Sequence, residues 1–366
     1  MMRFLRGFPS HRGLIFALAT MLVFLTVGHN WLKDLHNPFT ALLFLLWLLP
    51  AIVGAAFSVV RHADALAHRL GEPYGTLVLT LSVTAMEVTM ISAVMLTGPD
   101  NPTLARDTMF SVVMMILGGL VGTSLLIGGL RHRQQEFNLE GANSYLALIV
   151  PISLFGLVLP NFTVTTTAPT YSPAQSIIVA VLCVAVYAVF LVIQTMRHRE
   201  FFSHEVLQEQ TAEKPHGPLW VDVVLLLVSL VPVVVLAEEL AVILDFGTHR
   251  MGLPPALAGL IVAGLILAPE GMGGIRAAAS NHLQRSVNLL LGSALATIAL
   301  TIPAVLIVGV VTGKSVVLGL PSSDTLLLAV VLALCVITFG RGRTNVLQGA
   351  IHLLVFLMWL ALVFQG

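Results

Sequence analysis

The chain has 366 residues, of which 57% are hydrophobic and only 10% charged. Its mean hydropathy is +0.96. A soluble domain carries about 25% charged residues, so nearly the whole chain must be solvated by lipid or by itself. Formal net charge is +0, which removes any global argument for nucleic acid or for an acidic partner.

The first residues are short and basic, with Arg3, Arg6 and Arg12. Gly13 to Gly28 is apolar, rather long for a signal-peptide core, and no A-x-A site follows it, so a retained span is expected. Further apolar stretches run at about 38–60, 74–97, 107–130, 144–166, 173–196, 219–244, 253–279, 286–312, 324–340 and 345–364. Lipid offers the backbone no hydrogen-bond partner, so each is expected to be helical. The predicted class is an all-α polytopic membrane protein with about eleven transmembrane helices. Lys and Arg support the count. With the N-terminus inside, fourteen of the eighteen fall in inner segments, and only Lys33, Arg106, Arg250 and Lys314 fall outside. That bias places the N-terminus inside, in the cytoplasm, and the C-terminus outside.

A polar stretch at 197–218 divides the chain and reads as a cytoplasmic linker. His198, His204 and His216 within it have no metal-ligand spacing. Residues 1–37 are an N-terminal tail with one extra helix. Residues 38–196 and 219–366 each hold five spans. Five is odd, so the halves must insert in opposite orientation, the inverted repeat of many secondary transporters. Local likenesses support the pairing. Ala63-Asp64-Ala65-Leu66-Ala67 closes one span and Ala237-Glu238-Glu239-Leu240-Ala241 its counterpart. Each is followed by a span with a carboxylate near its middle, Glu87 in one and Glu270 in the other. The next span in each half is rich in small residues, with Gly118, Gly119, Gly122, Thr123 and Ser124 in one, and Gly292, Ser293, Ala294, Ala296 and Thr297 in the other.

A carboxylate inside a bilayer is costly and marks a functional site by default. Two of them in a dry cavity cannot both stay charged without a counter-ion. They hold protons or a hard cation, and each expels the other. Carboxylate, hydroxyl and carbonyl oxygens are the ligands that Na⁺, K⁺ and Ca²⁺ prefer. Glu87 and Glu270 are thus the candidate metal and proton ligands, with hydroxyls from Thr84, Thr123 and Ser293. Glu238, in the outer part of its span, is a further candidate for a functional role, or simply reaches the headgroups. Pro269, Gly271, Gly273 and Gly274 are expected to unwind the helix around Glu270 and free carbonyls for the ion. The small residues Gly118 and Gly122 serve helix packing or close approach to the ion. Cys183 and Cys335 read as buried packing residues. No phosphate-binding loop is present, no cofactor is expected, and the partners are inorganic cations, protons and the lipid bilayer. The reading is a secondary antiporter that exchanges hard cations for H⁺ by exposing this site alternately to the two sides. A cation channel with the same carboxylates as its selectivity element is the alternative. Only His352 of the twelve histidines lies well inside a span, and no catalytic set converges, so an enzyme is not expected.

At these residues the chain resembles the calcium/cation antiporter superfamily, in its cation/proton exchanger branch. HADALAHRLGEPYGTLVLTLSVTAMEV, AEELAVIL and LAPEGMGGIRAAASNHLQRSVNLLLGSALATIALTIPAV carry the likeness over residues 38–366. The family has a Gly-Asn-Ala-x-Glu motif in each repeat. Here the glutamates match at Glu87 and Glu270, while Thr84 and Leu267 stand where the asparagines would be. The family's Asn and Gln in the partner helices fall at Thr123 and Ala296, and Ser293 matches. The resemblance implies exchange of Na⁺, K⁺ and/or Ca²⁺ for H⁺ by alternating access in a bacterial inner membrane, with the C-terminus in the periplasm, a part for Glu238 in ion or proton access, and a site broader than one strictly selective for calcium.

Overall fold

The structure is a computed structural model that describes residues 10–33, 35–71, 74–97, 102–197, 201 and 218–365. The linker lies almost wholly outside the described residues. The elements in chain order are α1 (Ser10–Val23), a π-helical turn (Phe24–Gly28), α2 (His29–Lys33), α3 (Pro38–Leu70) and α4 (Tyr74–Thr97). Next come α5 (Leu104–Val113), a π-helical stretch (Met114–Leu120), α6 (Val121–His132), β1 (Gln134–Glu136), α7 (Leu139–Leu157) and α8 (Pro173–Val192), which runs into a π-helical end (Ile193–Arg197). The second half has α9 (Leu219–Met251), α10 (Pro255–Ala279), α11 (Leu283–Ala296), a π-helical turn (Thr297–Thr301), α12 (Ile302–Thr312), α13 (Ser322–Phe339), β2 (Arg343–Asn345) and α14 (Val346–Gln365).

Among the described residues nine helices are long and apolar enough to cross a membrane. Two shorter apolar helices, Arg12–Gly28 and Leu77–Ser92, complete the eleven expected stretches. Several ends differ from expectation: α3 continues to Leu70 rather than near residue 60, and α9 to Met251 rather than near 244. The fifth span stops at Leu157 rather than near residue 166. A short 3₁₀ turn at Leu159–Phe162 follows, containing Pro160. Beyond it, Thr163 and Thr166 hydroxyls donate to the Pro160, Ala168 and Thr170 carbonyls. Hydroxyls that bond nearby backbone compete with helix continuation.

The first three spans of the two halves match in order. Helices α3 and α9 are both 33 residues long, with an interior proline at Pro50 and at Pro232. Each ends on a glycine with positive φ, Gly71 at 66° and Gly252 at 67°, backbone that glycine adopts without a Cβ penalty; Gly252 is a left-handed helix cap. The glutamate-bearing helices α4 and α10 follow. Then comes a long span interrupted by π-helix in both halves, at Met114–Leu120 and at Thr297–Thr301.

The chain packs as two compact units, each drawing helices from both halves. The first holds α1 to α4 and α9. Here α3 packs against α9, α4 and α1. Gly13 and Gly54 let α1 and α3 touch backbone to backbone, since a Cβ on Gly54 would lie 3.0 Å from the Gly13 carbonyl oxygen. Close contact of this kind is how lipid-embedded helices gain packing energy. Arg69 near the end of α3 pairs with Asp222 near the start of α9, so those two ends lie together, as opposite insertion requires.

The second unit holds α5 to α8 and α10 to α14. Its loops sort to two ends. At one, β1 and β2 pair antiparallel, Gln135 opposite Thr344. At the other, the Val317 amide donates to the Pro102 carbonyl and the Gly319 amide to the Pro169 carbonyl. Arg106 also reaches the Gly319 carbonyl at 3.1 Å and Asp107 at 2.8 Å. This separation follows the alternation of spans read from the sequence.

Candidate functional site

In the first unit, α4 carries Thr84 and Glu87. They stand three residues apart on one helical face, and both are buried, Glu87 to 1% exposure. Met86, Met90 and Ile91 complete the buried side of that helix. Helix α4 packs on α3 and α9, and its approach to α3 is close. A Cβ on Gly75 would lie 2.5 Å from the Ala67 carbonyl oxygen.

Glu238 is also in this unit, but its side chain is exposed, while its neighbour Glu239 is buried. The likeness between the halves explains this. Ala63 and Ala237 occupy matching buried positions, as do Leu66 and Leu240. Asp64 and Glu238 then point outward together. Among the acidic pair on α9, the inward side chain is therefore Glu239. A longer apolar periodicity over Val233, Leu236, Ala237 and Leu240 was the signal available for it.

In the second unit, Glu270 lies in α10, 6% exposed, and both its carboxylate oxygens are buried with no hydrogen-bond partner on another of the described residues. Helix α10 is unbroken from Pro255 to Ala279. The expected unwinding around Pro269 and its glycines does not occur. Pro269 withholds only the N–H that would have bonded the Leu265 carbonyl, one turn back. The glycines have another use, which is to let neighbouring helices close in. A Cβ on Gly271 would lie 2.8 Å from Leu120, one on Gly273 2.8 Å from Leu289, and one on Gly274 2.9 Å from Leu290.

These contacts fix the register. Helices α10 and α11 form a hairpin through a tight turn at 280–282. With Gly273 against Leu289 and Gly274 against Leu290, one turn back on α10 reaches Glu270 and one turn forward on α11 reaches Ser293. The two are thus level across the hairpin, and Ser293 is half-buried. On the other side, Gly264 meets Met115 and Gly271 meets Leu120. The π-helical stretch Met114–Leu120 therefore runs alongside the part of α10 that leads to Glu270. The irregular backbone expected in the glutamate helix stands instead in the helix beside it. Wide π turns of this kind are frequent at functional sites.

Thr123 lies one turn beyond Leu120. Its hydroxyl donates to the Gly119 carbonyl at 2.7 Å, which leaves the oxygen lone pairs free to accept or to coordinate. Gly118 and Gly122 have a packing role. Cβ atoms there would lie 3.1 Å from Phe356 and 2.9 Å from the Leu353 amide of α14. The far end of α10 is held by donors. Gln135 bonds the Ala278 carbonyl at 3.0 Å, Arg131 reaches the Ala279 carbonyl at 3.3 Å, and His132 lies 3.1 Å from the same oxygen. Carbonyls at a helix C-terminus otherwise lack partners. Cys183 and Cys335 are both buried free thiols, as expected of packing residues. Among the described residues no three His, Cys, Asp or Glu side chains cluster as a metal site.

The Sodium/calcium exchanger protein family profile matches residues 40–196 and 221–365. The chain is 42% identical to the sodium-potassium/proton antiporter ChaA of Escherichia coli (strain K12), over 86% of this chain and 87% of that one. It is 40% identical to the putative ionic transporter y4hA of Sinorhizobium fredii, over 89% of each. Among solved structures it superposes on native YfkE with a TM-score of 0.75 at 18% identity, covering 97% of this chain and 100% of that one. It also superposes on the H⁺/Ca²⁺ exchanger CAX with a TM-score of 0.68 at 16% identity, covering 97% and 89%. Those two likenesses show the fold. The profile match over both halves, together with the curated relatives, shows that the chain belongs to the sodium/calcium exchanger family of membrane transporters.

Proposed function

We propose that this transporter exchanges Na⁺, K⁺ and/or Ca²⁺ for H⁺ by alternating access, with Glu87 and Glu270 as the carboxylates that take either a cation or a proton. The observation that carries the reading is Glu270. Its two oxygens are buried with no partner on another of the described residues, in a membrane-spanning helix, and a carboxylate so placed needs a proton or a cation to be tolerable. Glu87, buried at the matching place in the other half, supplies the second. Ser293, Thr84 and Thr123 would add hydroxyl oxygens of the kind hard cations accept. Competition between proton and cation for the same oxygens couples the two fluxes without a cofactor. The relatives named as a sodium-potassium/proton antiporter and as Ca²⁺/H⁺ antiporters support this reading. The distribution of Lys and Arg supports an N-terminus in the cytoplasm, and the bacterial antiporter relatives support a place in the inner membrane.

The test is reconstitution into proteoliposomes loaded with a pH-sensitive dye. Adding Na⁺, K⁺ or Ca²⁺ outside an acid-loaded vesicle should drive protons out, with the apparent KM for the cation rising as the outer pH falls and Vmax unchanged. Cation current without proton counterflow would support the channel instead. Wild-type exchange by Glu87→Gln or Glu270→Gln would overturn the assignment of the site.

A further inference from the structure

His352 is fully buried in α14, and the exchange chemistry above does not use it. Its Nδ1 lies 2.6 Å from the Leu117 carbonyl oxygen. Its Nε2 lies 3.0 Å from the Thr338 hydroxyl of α13. A carbonyl only accepts, so Nδ1 carries the hydrogen, and Nε2 of the neutral ring accepts from the threonine. One ring thus ties α13 and α14 to a single backbone oxygen.

That oxygen belongs to the π-helical stretch Met114–Leu120. Gly118 and Gly122 clear the space in which α14 closes on it. The opposite side of the stretch meets α10, through Met115 at Gly264 and Leu120 at Gly271. The π turn is therefore held between the histidine on one side and the Glu270 helix on the other. A π turn is strained relative to α-helix and persists where its surroundings hold it. If it relaxed to α-helix, the downstream residues would rotate by about one residue's step, roughly 100°. Thr123 would turn with them.

We propose that His352 is a positioning residue for cation binding: its bond to the Leu117 carbonyl holds the π turn, and the turn sets where Thr123 and the backbone beside Glu270 stand. This rests on the exchange reading above.

The test compares three variants in proteoliposomes, with deuterium uptake over residues 114–121 measured on the same purified proteins. His352→Asn keeps an N–H near the Nδ1 position. His352→Leu removes it. His352→Gln carries its amide toward the Nε2 position, and stands in where the leucine variant does not fold. The leucine and glutamine variants should raise the apparent KM for Na⁺ about five- to tenfold with Vmax within about twofold, the loss expected for one buried hydrogen bond, and should take up deuterium faster across the turn. His352→Asn should stay within about twofold of wild type in both readouts. A purely structural role would lower the yield of folded protein and Vmax while sparing KM, and that result overturns the inference. So does an asparagine variant as impaired as the leucine one, or uptake unchanged in every variant. A wild-type protein that exchanges nothing overturns the functional reading instead, and the deuterium uptake still decides whether His352 holds the turn.

Discussion

Arg69 and Asp222 face each other across α3 and α9, Nε to Oδ2 at 3.0 Å, with side chains only 16% and 14% exposed. His62 lies 3.9 Å from the other carboxylate oxygen. The contact joins the last turns of one 33-residue helix to the first turn of its counterpart. Partly buried pairs of this kind cost several times more to break than surface pairs, because the remaining charge loses its partner without regaining water. Asp222→Ala should therefore lower stability by about 1–3 kcal/mol, read as a drop in Tm in detergent. In a double-mutant cycle, Arg69→Ala added to Asp222→Ala should cost less than the sum of the two. Strict additivity would show that the pair contributes nothing.

The glycines of α6 and α10 look alike in sequence and differ in what they meet. A Cβ on Gly122 would lie 2.9 Å from the Leu353 amide and 3.0 Å from His352, which are backbone and a fixed side chain. Gly122→Ala should force α14 away and cost about 1–3 kcal/mol. A Cβ on Gly264 would meet only the end of Met115, at 3.6 Å. Gly264→Ala should be neutral or stabilise by about 0.5–1 kcal/mol, the gain in helix propensity. Thermal unfolding of both variants in one detergent checks this. Equal destabilisation would mean that the two helix contacts are not as tight and as loose as described.

This contrast marks where the sequence could be read and where it could not. Hydropathy alone located the eleven stretches, because in lipid a long apolar segment has no alternative to helix. The matched glutamates and the Ala63/Ala237 likeness aligned the halves, because both follow from residue identity. The use of Gly271, Gly273 and Gly274 was not legible. Clustered glycine and proline are equally compatible with an unwound helix and with a tightly packed one, and the choice depends on Leu120, Leu289 and Leu290, which are distant in sequence or on another helix. The π turn at Met114–Leu120 was hidden for the same reason, since MMILGGL is ordinary helix by propensity. Glu238 and Glu239 are adjacent acids that differ only in the helix face packing selects, so residue identity alone does not say that Glu239 is the buried one.

Glu270 separates function from stability. Both oxygens are buried with no hydrogen bond to another of the described residues, so among these the carboxylate ties no second element into the fold. Glu270→Gln preserves the shape and removes the charge. It should abolish exchange while leaving stability unchanged or higher by about 1 kcal/mol, as expected when an unsatisfied buried charge is removed. Dye-reported proton flux and Tm on the same preparation test this. A variant that loses flux only because it unfolds would assign Glu270 a structural role.

Leu267 offers a test of cation preference. It is 2% exposed, three residues before Glu270 on α10, beside the π-helical stretch. In the family pattern an asparagine stands there and at Thr84. An amide oxygen is a neutral, hard ligand that favours a divalent ion needing six to eight oxygens over a monovalent one needing fewer. Leu267→Asn should raise the ratio of Ca²⁺- to Na⁺-driven proton flux several-fold, at a cost of about 1–3 kcal/mol for burying the amide. Thr84→Asn should move the ratio the same way with a smaller stability cost, since a polar side chain already sits there. Measuring both fluxes at matched ionic strength separates a change in preference from a general loss of activity. If the folded variants lose both fluxes in equal proportion, Leu267 and Thr84 do not line the path of the ion.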